Sequence, residues 1–115
     1  MLDYFEARKR RYEGVRNQID LLTAQLKKEG CKVYRPSDLT YYFFLVVKEK
    51  KHILVGYQEV PYSWYMYHNI KPNRKLGSSI NKVEQANSFS IEEILAAMRE
   101  TDYDLRKSTT QYEEV

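Results

Sequence analysis

Two histidines, His52 and His68, are the side chains of this 115-residue chain best suited by type to move protons near neutral pH. A histidine pair beside a lysine or tyrosine can cleave RNA by acid–base transfer. Their spacing argues against that chemistry. On the strand pairing the sequence implies, they stand about three residues apart, near 10 Å, too far to share one reacting atom. The plainer expectation is a core histidine at 68 and a solvated one in the lysine-rich turn at 52. A small histidine-dependent nuclease is therefore the catalytic alternative, not the main reading.

Metal chemistry lacks a donor set. Cys31 is the single cysteine, so neither a disulfide within the chain nor a cysteine-based metal site can form. No His-x-x-x-His or Cys-x-x-Cys spacing occurs. Glu92 and Glu93 suit the first turn of a helix, while Asp102 and Asp104 would flank a site only if the tail folded back. Ser78 and Ser79 after Gly77 match neither a nucleophile elbow nor a phosphate loop. No catalytic residue, cofactor or metal is expected.

Anion contacts are easier to place. Lys71, Arg74 and Lys75 in "KPNRKLGSS" could surround a cradle of backbone amides, with a solvated basic loop as the alternative. Arg8, Lys9, Arg10 and Arg11 are consecutive cations, candidates for phosphate or acidic-partner contacts. Each residue turns a helix by about 100°, so the four wrap around it, and local ion pairs with Glu6 and Glu13 compete. Nineteen Lys and Arg against sixteen Asp and Glu leave a net charge of +3. That balance permits a nucleic-acid partner without requiring one.

The surplus is aromatic. Eleven tyrosines dominate the aromatic content, and residues 40–70, "TYYFFLVVKEKKHILVGYQEVPYSWYMYHNI", read as three strands of an antiparallel meander: Thr40–Lys48, Ile53–Val60 and Ser63–Ile70. A register with Lys48 opposite Ile53 and Val60 opposite Ser63 separates two faces. One carries Tyr42, Phe44, Val46, Ile53, Val55, Tyr57, Trp64, Met66, His68 and Ile70, and should receive the helices. The other carries Tyr41, Phe43, Leu45, Val47, Leu54, Tyr65 and Tyr67, thinned by Gly56. Four covers compete for that second face: the chain's own helices, a second copy, a protein partner, or stacked bases.

The flanking elements are local predictions. Asp3–Glu29 reads as one helix, capped by Asp3 and ended by Gly30, with Phe5, Tyr12, Val15, Ile19, Leu22 and Leu26 forming a stripe that Arg8 interrupts. That stripe is expected to pack on the sheet rather than in a coiled coil. A short strand at "KVY" precedes the meander, and "INKVEQAN" is compatible with strand or helix. In "SFSIEEILAAM", Ser90 and Glu93 make a capping box and Phe89 and Ile94 a hydrophobic staple, so a helix begins at Ile91.

Residues 1–105 thus predict a single α+β domain: a three- to five-stranded antiparallel meander with a long N-terminal and a short C-terminal helix. Residues 106–115 predict a polar, frayed tail. No signal-peptide pattern follows the start and no apolar run reaches the length of a membrane span, so a cytoplasmic, reducing setting without membrane contact is expected. The functional expectation is binding without catalysis. The chain would act as an inhibitor or accessory factor on a nucleic-acid-handling protein or on nucleic acid, through Tyr41, Phe43, Tyr65 and Tyr67 with Lys71, Arg74 and Lys75 at the rim. A homodimer or larger structural oligomer is the third possibility.

Overall fold

Helix α1 spans Tyr4–Lys28. The Asp3 carboxylate caps it, accepting from the Glu6 N–H at 2.8 Å. At its other end the Cys31 N–H donates to the Leu26 carbonyl (3.0 Å) and the Gly30 N–H to the Lys27 carbonyl (3.1 Å). Those are the two bonds of a Schellman motif, which needs a left-handed residue between them. Gly30 supplies it at φ 87°. Leu26 and Cys31 on either side are both buried, so the bonds that end the helix also seat its last apolar residue.

The structure is a computed structural model that describes residues 3–37, 42–59, 62–73, 78–101 and 112–115, with the backbone alone over 69–73 and 78–82. After α1 come β1 (Lys32–Pro36), β2 (Phe43–Lys48), β3 (Lys51–Glu59), β4 (Tyr62–Asn73) and β5 (Ser78–Ala86), then α2 (Ile91–Glu100) and β6 (Tyr112–Glu114). They form one antiparallel sheet in the order β5-β4-β3-β2-β1-β6. The α+β class and the two helices are as predicted. The strands number six among the described residues, beyond the three to five expected.

One segment resolves an open alternative, and another adds the sixth strand. "INKVEQAN" is strand through Ala86, because it pairs along β4. Tyr112–Glu114, expected inside a frayed tail, pairs with β1 instead. An edge strand turns much of its surface to water and needs few apolar residues, so its composition resembles that of a tail. The remainder of that predicted tail, 106–111, lies outside the described residues.

Both predicted registers are off by two. Lys48 faces Lys51 rather than Ile53, and Ser63 faces Gln58 rather than Val60. In the first hairpin the cause is a turn of two residues, Glu49 and Lys50, with Glu49 at φ 57°. Two-residue hairpins need positive φ, which Asn or Gly normally signals; a glutamate there conceals the turn. A slip of two leaves each side chain on its original face, and the predicted division of faces survives.

Both helices pack on one of those faces. Tyr12, Val15, Ile19, Leu22 and Leu26 of α1, and Ile94, Ala97 and Met98 of α2, meet Val33, Phe44, Val46, Ile53, Val55, Trp64 and Met66 in one cluster. Phe5, expected in the same stripe, is 78% exposed. A 25-residue helix is about 37 Å long, longer than the roughly 20 Å of β1 or β2 beneath it, and its first turn overhangs the sheet. In α2 the capping box forms both ways, Glu93 N–H to Ser90 Oγ at 3.2 Å and Ser90 N–H to the Glu93 carboxylate at 3.1 Å. Phe89 and Ile94, its staple, are buried. No helix among the described residues is long and apolar enough to cross a membrane.

Candidate docking face

With both helices on one side, the opposite face of the sheet carries no helix among the described residues. Strand alternation places Phe43, Leu45 and Val47 of β2, Leu54 and Gly56 of β3, and Tyr65 and Tyr67 of β4 there. Leu45 and Val47 are buried, Phe43, Leu54 and Tyr65 are half-buried, and Tyr67 is 43% exposed. The aromatic patch is organised by a missing side chain. Gly56 lies opposite both Phe43 and Tyr65, and a Cβ on it would stand 2.5 Å from Tyr65 Cζ and 2.9 Å from Phe43 Cβ. The Tyr65 ring therefore lies across the glycine, where it meets Tyr67 edge-on with centroids 5.3 Å apart. Burial, and secondarily Tyr67, pushes the Tyr65 phenol above its ordinary value, so it presents a neutral hydroxyl.

Of the predicted binding residues, Phe43, Tyr65 and Tyr67 come together here. Tyr41, Arg74 and Lys75 lie outside the described residues, and Lys71 is described only by its backbone in β4. Two further aromatic residues and one further aliphatic residue join the face. Tyr34 projects from β1 beside Leu45, Tyr112 from β6 packs its ring edge-on to Phe43 at 6.2 Å, and Val83 on β5 is 45% exposed. Tyr34 was legible from its place in "KVY", two residues from Lys32 on the same side. Nothing local marked Tyr112, whose position depends on β6 reaching β1.

The basic helix start belongs to the other side. Arg8, at the break in the apolar stripe, donates from Nε to Glu59 at 2.9 Å and lies over the Tyr12 ring at 4.7 Å. Tyr12 donates its hydroxyl to the same carboxylate. Arg11 stacks on Tyr62 at 3.8 Å and reaches the Tyr57 hydroxyl at 3.4 Å, and Arg16 lies 5.8 Å from the Tyr42 ring centre. Lys9 and Arg10 are exposed. Arg8 and Arg11 thus bind the helix to the end of the sheet, and their charge is partly engaged within the fold.

The hydrogen bond from Tyr12, and next that from Arg8, hold the Glu59 carboxyl below its usual range. A carboxyl depressed in the folded state adds stability above its unfolded pKa of about 4.3 and loses it as pH falls through the folded value. Glu59→Gln is expected to flatten the acid limb of a stability-versus-pH curve below about pH 4.5 while leaving its neutral plateau nearly level with pH. An unchanged acid limb in urea titrations from pH 2.5 to 6 would remove Glu59 as a contributor.

The histidines do not form a pair. His52 lies opposite Val47 on the helix-free face, whereas His68 follows Met66 by two on the helix face, fully buried and 3.8 Å from the Glu84 carboxylate. The sheet stands between them. Among the described residues no group of three or more His, Cys, Asp or Glu could hold a metal ion. No family model, curated protein or solved structure matches this chain.

Proposed function

We propose that this chain is a binding protein without catalytic activity that docks a protein partner on the helix-free face of its sheet, as an accessory or inhibitory subunit. The observation that carries this reading is the one-sided placement of the helices over a six-stranded sheet whose other face is aromatic. Tyrosine and phenylalanine around buried aliphatics are the composition of protein-interface cores. The charge described on that face favours a protein over a nucleic acid. Among the described side chains it carries one cation, Lys32, and one anion, Glu114. A phosphate backbone is held by several lysines and arginines. Arg8 and Arg11, candidates for that role, are turned to the other side. The separation of His52 and His68 by the sheet supports a non-catalytic role.

The test is affinity capture from the native cell, with and without nuclease, using the chain and its Tyr65→Ala/Tyr67→Ala variant. A protein should be retained by the unaltered chain, survive nuclease and moderate salt, and bind the variant about 30- to 1,000-fold more weakly. Capture abolished by nuclease would transfer the face to nucleic acid. Equal retention by both chains would remove it as the docking surface, and a dimer in sedimentation that the double variant splits would assign it to a second copy.

A further inference from the structure

The second surface lies on the helix-bearing side of the sheet and shares only strand β6, through Tyr112, with the docking face. Strand β6 is held to β1 through three residue pairs, Tyr34 with Glu114, Arg35 with Glu113 and Pro36 with Tyr112, and through the Val115 N–H to the Val33 carbonyl at 2.9 Å. Alternation directs Glu113 and Val115 toward α1. They do not fill the space there. A cleft of about 560 Å³ remains between them and α1, lined by Arg16, Ile19, Asp20, Lys27 and Arg35, within the size range of ligand sites. Val115 is accordingly 45% exposed.

We propose that this cleft and the edge of β1 form a slot for an extended, acidic segment of a partner protein, and that residues 112–115 occupy it as a weak internal competitor. Three observations select that occupant. The β1 edge already accepts a strand, so its backbone donors and acceptors suit an extended chain more than a compact molecule. When β6 leaves, Glu113 leaves with it, and among the described ionisable residues of the lining Asp20 is then the one carboxylate beside Arg16, Lys27 and Arg35. Arg35 is half-buried and donates to the Phe43 carbonyl at 3.1 Å; desolvation lowers its pKa, with Asp20 partly compensating, and a new anion would favour its charged form. The unfilled volume distinguishes a foreign segment from the same segment of a second copy. The copy's Val115 would leave the same space and would compete with a tethered strand at an effective concentration near the millimolar range. A segment with a larger apolar side chain at the Val115 position fills the cleft.

The experiment uses the full chain and its Glu113→Pro variant. Because the Val33–Val115 pair is hydrogen-bonded, the Arg35–Glu113 pair two residues along is also. Proline at 113 removes a donor there and releases β6 without touching the core. The probes are a labelled peptide of residues 109–115, TTQYEEV, and its Val115→Phe version. The phenylalanine peptide is expected to bind Glu113→Pro about tenfold or more tighter than the unaltered chain, and more tightly than TTQYEEV does. Arg35→Glu in the Glu113→Pro background should reverse the gain. A second reading uses the unaltered chain alone: saturating peptide should remove hydrogen-exchange protection at the Glu113 amide and preserve it at Arg35. Equal affinity for both chains, no preference for phenylalanine, or unchanged protection at Glu113 would each overturn the proposal. So would a dimer of the unaltered chain that Glu113→Pro abolishes, since it would give the slot to strand exchange between copies.

Discussion

Phe44→Ala is expected to lower the unfolding free energy by about 3–5 kcal/mol. Phe44 is fully buried in β2, paired with Val55 across the ladder, and sits in the cluster that both helices close over. Removing the ring loses its transfer free energy and leaves a cavity that a sheet cannot readily collapse, because neighbouring strands are fixed by hydrogen bonds. Small domains have only about 5–15 kcal/mol in total, so about a fifth or more of the stability would go. Urea titration should show a lower midpoint at an unchanged slope. Phe5→Ala is the matched control: the same substitution at an exposed site should stay within about 0.5 kcal/mol. Equal losses at the two positions would mean that the core is not under the helices.

Gly56→Val should be the second largest effect, and it acts on the other face. Any Cβ at this position collides with the Tyr65 ring and with Phe43 Cβ. The ring end can swing away, but Phe43 Cβ moves only with its backbone, which is locked in the β2–β3 ladder. Overpacking of this kind costs about 1–3 kcal/mol, which for a domain near this size lowers the thermal midpoint by roughly 5–15 °C. The displaced Tyr65 would also lose its edge contact with Tyr67, so docking should weaken with stability. A double-mutant cycle isolates the cause. In a Tyr65→Ala background, introduction of a side chain at 56 should cost distinctly less, with a coupling of about 0.5–3 kcal/mol. Identical costs in the two backgrounds would rule out the ring lying over the glycine as the origin.

Much of the fold could be read locally. The Asp3 cap, the glycine at 30, the capping box at Ser90–Glu93 and the staple at Phe89–Ile94 each depend on partners within five positions, and all appear in the structure. Alternation in β2, β3 and β4 separated the core face from the helix-free face even though the register was two residues out, because a strand repeats every two residues. The tight turn at Glu49–Lys50 was hidden, since the residue that takes positive φ is one that seldom does. The aromatic, helix-free face was legible in Phe43, Tyr65 and Tyr67, whose strands follow one another closely in the chain, and incomplete where Tyr112 joins it from β6.

Periodicity and capping chemistry in the residue order were sufficient to specify the long helix, the short helix, the meander and the side of each strand that is apolar. The tertiary structure alone decided that both helices share one face, that β6 closes on β1, and that Arg8 meets Glu59 across 51 positions of chain. The division has a physical basis. Caps and alternation arise from interactions between near neighbours, whose geometry the backbone sets. The cost of closing a long loop rises only logarithmically with its length, so distant partners are almost equally accessible. The fit of whole surfaces then selects among them.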